Sequence, residues 1–161
     1  MPGYADDRAA IVELLNRYAQ CCDRREFEAV GDCFTDDARA EYSGRRLEPG
    51  VRHIVAHMAP LARLAASQHV VGSATVEVDG DSAVASSYTV AHLVRPVTDG
   101  HEVVHRGLHY ADRLVRTDAG WRISERVHRV LWSTSSPTVW PVPRFTTAAQ
   151  PAAQPDARPA G

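Results

Sequence analysis

Residues 67–94 read SQHVVGSATVEVDGDSAVASSYTVAHLV. Val, Thr, Ser and Tyr dominate, side-chain character alternates with a period of two, and Asp79-Gly80-Asp81 stands in the middle. That pattern predicts two strands folded about an Asp-Gly turn. Residues 102–132, EVVHRGLHYADRLVRTDAGWRISERVHRVLW, repeat the design with Thr117-Asp118-Ala119-Gly120 as the turn. The second half of the chain is thus expected to be about four long strands joined mainly by hairpins.

Upstream the period is helical. Ile11, Leu14, Leu15, Tyr18 and Cys22 recur at the spacing of one buried helix face, with Asp6 and Asp7 near its positive N-terminal end. Phe27, Val30 and Phe34 predict a short second helix, broken by FTDDA (34–38), and ARAEYSG (38–44) reads as a short strand. Gly50 precedes a third helix with Val51, Ile54, Val55, Met58 and Leu61 along its stripe. Three helices before a run of hairpins make an α+β domain, a curved antiparallel sheet with helices packed on one face. From about Ser133 the pattern dissolves. The domain is expected over 1–135, followed by an Ala/Pro-rich tail over 136–161 whose end, AAQPAAQPDARPAG (148–161), has too little to bury to order itself.

Bulk properties narrow the function classes. The 161 residues suffice for one well-buried domain, and 44% apolar with 24% charged residues is ordinary for a globular protein. A net charge of -2 gives no electrostatic reason to bind nucleic acid or an anionic membrane. The N-terminus lacks a signal-peptide core, so a cytoplasmic location is expected, with Cys21, Cys22 and Cys33 reduced and mostly buried. Neither a GxGxxG loop nor a P-loop is present, and no nucleotide or nicotinamide cofactor is expected. HIVAH (53–57) has the i, i+4 spacing of a zinc pair but lacks the glutamate of HExxH, and both histidines lie off the apolar stripe, so they read as a solvated face. His105 and His109 share a strand face without an evident third ligand, and no metal site is expected.

The informative residues are polar ones on apolar faces. His92 shares a strand face with Val84, Ser86, Tyr88, Val90 and Val94; His69 begins the preceding strand; Asp112 shares a face with Val104, Leu108, Tyr110 and Leu114. Tyr18 lies within the first helix's stripe, in the segment NRYAQCCDRREFEAVGDCFTDD (16–37), and Asp23 ends it. These groups are expected to point into the space between helices and sheet. Buried together, they are tolerable only if they bond one another or line a wet pocket. A carboxylate, imidazoles and a phenol are the parts of acid–base chemistry.

At these residues the sequence resembles the SnoaL-like branch of the nuclear-transport-factor-2-like superfamily. YAQCCDRREF (18–27) and CFTDDA (33–38) carry the likeness, and SQHVVG (67–72), VAHLV (90–94), HYADRLVRTDAGWRISER (109–126) and VHRVLW (127–132) continue it in order. The resemblance implies a cone-shaped α+β barrel, a strongly bent sheet and three N-terminal helices enclosing a deep pocket. Among its members, the dehydratases acting on scytalone and on bile acids are the nearest in mechanism, both cofactor-free lyases. Carried over on matching positions, the likeness implies Asp23, His69, Tyr18 and His92 as catalytic residues. It implies Tyr42, Tyr110, Asp112 and Arg126 as substrate-binding residues, Arg129 being an equal register for Arg126. Cys22 stands where the scytalone enzyme has a tyrosine, a departure that touches the relay to water.

The expected function is therefore a cofactor-independent dehydratase for a hydrophobic polycyclic, polyketide- or steroid-like substrate, working through an Asp23–His69 dyad. The same equipment serves a double-bond isomerase or a polyketide cyclase, and the superfamily also holds non-catalytic binding modules. An uncovered sheet face predicts a homo-dimer or homo-trimer.

Overall fold

In the computed structural model, residues 3–138 are described; most of the predicted tail lies outside them. The chain runs α1 (Tyr4–Arg24), α2 (Phe27–Gly31), β1 (Phe34–Tyr42), β2 (Arg45–Arg46), α3 (Val51–Met58) and a 3-10 turn (Ala59–Arg63). Four long strands follow: β3 (Ala66–Asp79), β4 (Ser82–Val97), β5 (Gly100–Thr117) and β6 (Gly120–Pro137). They form one mixed α+β unit whose six-stranded sheet has the order β2-β1-β6-β5-β4-β3. All pairings are antiparallel except β1 with β6.

The predicted stripe of α1 is buried, and both predicted turns form with left-handed glycines, Gly80 at φ 59° and Gly120 at φ 92°. Two boundaries differ from expectation. FTDDA does not break a helix; it opens β1, which pairs with β6 from Phe34 onward. Strand β6 continues through Pro137, past the point where the sequence pattern fades, because its partner β5 supplies a ladder to that end. No helix among the described residues is long and apolar enough to cross a membrane.

On β4 the inner face is not the more apolar one. The buried positions of this strand are Ala83, Ala85, Ser87, Thr89 and Ala91, all small groups. The alternate positions point outward, and Val84 and Tyr88 there are largely exposed, as are Leu131 and Trp132 on β6. Trp132 lies over Gly107, where any β-carbon would overlap its indole. Bulges at Val71/Ala74, Gly107/Leu108 and Arg113/Leu114 bend the strands that carry them.

Candidate active site

Helix α1 ends where the chain reverses at Arg25, a left-handed residue at φ 63° whose amide caps Cys22 O. The reversal leaves Asp23 in the last turn, facing the free edge of β3. An edge strand has unpaired amides, and Asp23 takes one of them: His69 N–H donates to Asp23 Oδ2 at 2.7 Å. Ser67 Oγ donates to Asp23 Oδ1 at 2.8 Å, and His69 Nδ1 lies 2.7 Å from the same oxygen. Arg25 braces the group from behind, donating from Nη1 to Ser67 Oγ at 2.7 Å and to the carbonyls of Cys22 and Asp23. Burial raises the pKa of Asp23, but the bonds from His69 and Ser67 outweigh it and hold the carboxyl below its usual range. An ionised Asp23 accepting from Nδ1 leaves His69 Nε2 as the basic nitrogen.

His69 lines a cavity of about 280 Å³ between the sheet, the end of α1 and α3. Tyr18, Tyr42 and Tyr110 line it too. Tyr18 Oη and Tyr42 Oη are 3.1 Å apart. Burial raises all three phenols, Tyr42 to about 12 and Tyr18 and Tyr110 well above their ordinary values, so each is a proton donor at neutral pH. Cys22 lines the cavity as an inert thiol, pushed up to about 12 by burial.

Beneath this chamber Asp112 and Arg126 form a bidentate pair, both bonds 2.7 Å, with each side chain 1% exposed. The guanidinium lies 4.1 Å from the Tyr18 ring centroid and 4.5 Å from that of Tyr110. Burial works against its charge, yet Asp112 more than compensates, and Arg126 stays protonated. The register question is answered by the ladder: Arg126 pairs opposite Asp112 and is buried, whereas Arg129 pairs opposite His109 and is exposed.

The predicted residues thus divide. Asp23, His69, Tyr18, Tyr42 and Tyr110 converge, with Asp23 reaching the cavity through His69. Asp112 and Arg126 sit behind the aromatic rings and are not among the cavity-lining residues. His92 is displaced from its expected place: its neighbours Ala91 and Leu93 line the cavity, so His92 points to the outer face, where its Nδ1 lies 2.9 Å from His105 Nδ1. The expectation took the more apolar face of β4 for the inner one.

Three cavity residues escaped the sequence reading: His57, Arg106 and His128. His57 is not on a solvated face; its ring packs 4.7 Å from that of Tyr42. His128 packs against Tyr42 and Tyr110 at 5.3 and 5.2 Å. Burial, followed by the charges of Arg126 and Arg106, depresses His128 to about 4, so it is neutral. The periodicity of HYADR opposite SERVH would have found His128, which pairs with Tyr110.

Comparison with known proteins identifies the family and the fold. Residues 3–127 match the SnoaL-like domain, and the chain belongs to that family. The protein Rv2910c of Mycobacterium tuberculosis is 33% identical over 127 residues, covering 75% of this chain and 83% of the relative. An NTF2-like protein with a cystatin-like fold from Novosphingobium aromaticivorans is 29% identical with a TM-score of 0.66, covering 79% of this chain and 83% of that one. A type 2 hexachlorocyclohexane dehydrochlorinase, LinA, shares the fold at a TM-score of 0.71 and 17% identity, over 82% of this chain and 90% of its own.

Proposed function

From membership of the SnoaL-like family, we propose that this chain is a cofactor-independent lyase that eliminates water from a small cyclic β-hydroxyketone. The observation that carries the reading is the Asp23–His69 bond of 2.7 Å beside a cavity whose phenols are all held protonated. Asp23 orients His69 and offsets the positive charge it gains. Nε2 takes the proton from the carbon beside the substrate carbonyl, and the C–H electron pair moves onto that oxygen as an enolate. The enolate collapses to a carbon–carbon double bond as the β C–O bond breaks. The departing oxygen takes a proton from the Tyr18–Tyr42 phenol pair and leaves as water. The proton on His69 then restores the phenol. Positioned groups of this kind contribute roughly 10²- to 10⁴-fold each.

The fold shared with a dehydrochlorinase supports elimination as the reaction class, hydrogen leaving with chloride there and with hydroxide here. Volume refines the substrate. Small-molecule sites commonly run from about 300 to 1,000 Å³, so a chamber of about 280 Å³ suits one or two rings better than a four-ring steroid.

The test uses 3-hydroxy-1-tetralone, whose dehydration gives 1-naphthol. Wild-type protein should accelerate naphthol formation above the buffer rate and exchange the proton beside the carbonyl in D₂O. Exchange without dehydration would point instead to an isomerase or cyclase, which begin at the same enolate. The absence of both would leave a binding module and end the lyase reading.

A further inference from the structure

We infer that the natural substrate carries a carboxylate and that Arg106 holds it. The inference rests on reading the cavity as the substrate site and deepens it. His69 pairs with Ala91 across β3 and β4, and Ala91 pairs with Arg106 across β4 and β5. Directly paired residues share a face of the sheet, and all three line the cavity. Ala91 offers only a methyl group, so His69 and Arg106 flank an open floor. Strands lie about 4.8 Å apart, which puts the two backbones roughly 10 Å from each other, about the span of a two-ring molecule.

Arg106 differs from the other arginines of the interior. Arg25 is held by Ser67 and two carbonyls, Arg116 by Asp7 and Asp81, and Arg126 by Asp112. Arg106 is half-buried and, among the described residues, has no hydrogen bond or ion pair. The nearby carboxylates are engaged: Asp23 accepts from Ser67 and twice from His69, and Asp112 is bound to Arg126. A guanidinium cannot shed its proton, so the cavity holds a permanent, uncompensated positive charge. Its field is felt within the site, where it helps keep His128 neutral. A ligand anion would neutralise that charge, and the planar fork of donors matches a carboxylate in bidentate fashion. The placement also leaves the chemistry to His69 at the opposite side, with Arg106 setting which way round the substrate lies.

Calorimetry on the full chain with 2-naphthoate and its neutral counterpart 2-naphthamide tests this. Wild-type protein should bind the naphthoate at least about tenfold more tightly than the amide. Arg106→Met, which keeps roughly the length of the side chain, should erase the preference while circular dichroism stays unchanged. Arg106→Lys should keep part of it, retaining charge but losing the fork. Equal affinity of the wild type for both probes, no binding of the naphthoate, or a preference that survives Arg106→Met would overturn the inference. Binding is read here, not turnover, so a protein that prefers the naphthoate through Arg106 yet dehydrates nothing would overturn the lyase reading alone.

Discussion

Two carboxylate–base pairs stand within one small domain at the same separation, 2.7 Å, and they are built for different ends. Asp112–Arg126 is sealed, each side chain 1% exposed, capped by the faces of Tyr18 and Tyr110. Asp23–His69 lies at the edge strand with its side chains 17% and 10% exposed, and the histidine opens onto a cavity. Arginine stays charged whatever happens around it, so the first pair can only hold; histidine gains and loses a proton near neutrality, so the second can transfer one. Geometry alone does not make a catalytic pair. The partner's chemistry and its access to a ligand do.

The strongest way to break that contrast is to cut the sealed pair. Arg126→Met leaves a carboxylate buried without a counter-charge, and removing one partner of such a pair typically costs about 3–5 kcal/mol. Urea denaturation should show a loss of that order, and the double variant Asp112→Leu/Arg126→Met should recover much of it. If Arg126→Met kept full stability while turnover collapsed, Arg126 would belong to the site and not to a sealed structural pair.

Cutting the open pair should do the reverse. His69→Ala and Asp23→Asn are each expected to lower turnover of the tetralone at least about a hundredfold, about 2.7 kcal/mol in barrier. Circular dichroism should stay native, because Ser67 and Arg25 still brace the end of α1. Retained activity in both variants would refute the dyad.

The contrast also marks what the sequence could reveal. Helix α1 and the hairpins were legible because each period ran over several turns or pairs, and Asp23 and Tyr18 because they interrupt a clean stripe. His92 lies on the opposite face from the one its sequence suggests for a physical reason: β4 packs small residues on its inside, so Ala83, Ala85 and Ala91 face the core while Val84 and Tyr88 face out. Ranking faces by apolarity inverts such a strand. Arg106 continues the strand face of Val104, Leu108 and Tyr110, but a lone arginine there carries no motif, and His57 looked like solvated helix surface; only the third dimension joins them to His69. The start of β1 was hidden because FTDDA is acidic and turn-like, and its pairing with β6 depends on a partner about 90 residues downstream.

Arg126's buried charge extends beyond its own pair, which acid titration can measure. His128 falls from an ordinary 6.5 to about 4 through burial and then Arg126. A base depressed in the fold binds its proton first in the unfolded chain, so stability is intact above the unfolded value and declines as pH falls from 6.5 towards 4. At pH 5 the loss from this group is about 2 kcal/mol. His57 is shifted in the same direction, so the comparison is between wild type and His128→Phe, which should flatten the stability profile over that window by the share due to His128. Asp23 does not confuse the measurement: its depressed carboxyl stabilises above 3.8 and yields only below that. An unchanged profile in His128→Phe would mean that burial and the charge of Arg126 together do not depress His128.

The smallest effect concerns the residue that belongs to both regions. The ring of Tyr18 lies over Arg126 while its hydroxyl meets Tyr42 in the cavity. Tyr18→Phe keeps the ring and removes the donor, so stability should change by about 1 kcal/mol or less, the worth of one hydrogen bond. Turnover of the tetralone should fall by roughly tenfold, less than for the dyad variants, because Tyr42 can still donate to the leaving oxygen. Tyr18→Leu removes both functions and should add a stability loss that Tyr18→Phe does not show, through lost contact with Arg126 and the edge-on packing against Phe34 and Tyr110. Measured side by side in urea and in the assay, the two variants separate the sealed half of this tyrosine from the open half. Equal losses of stability in both would place its hydroxyl in the structural region, and the phenol pair would then have no part in the chemistry.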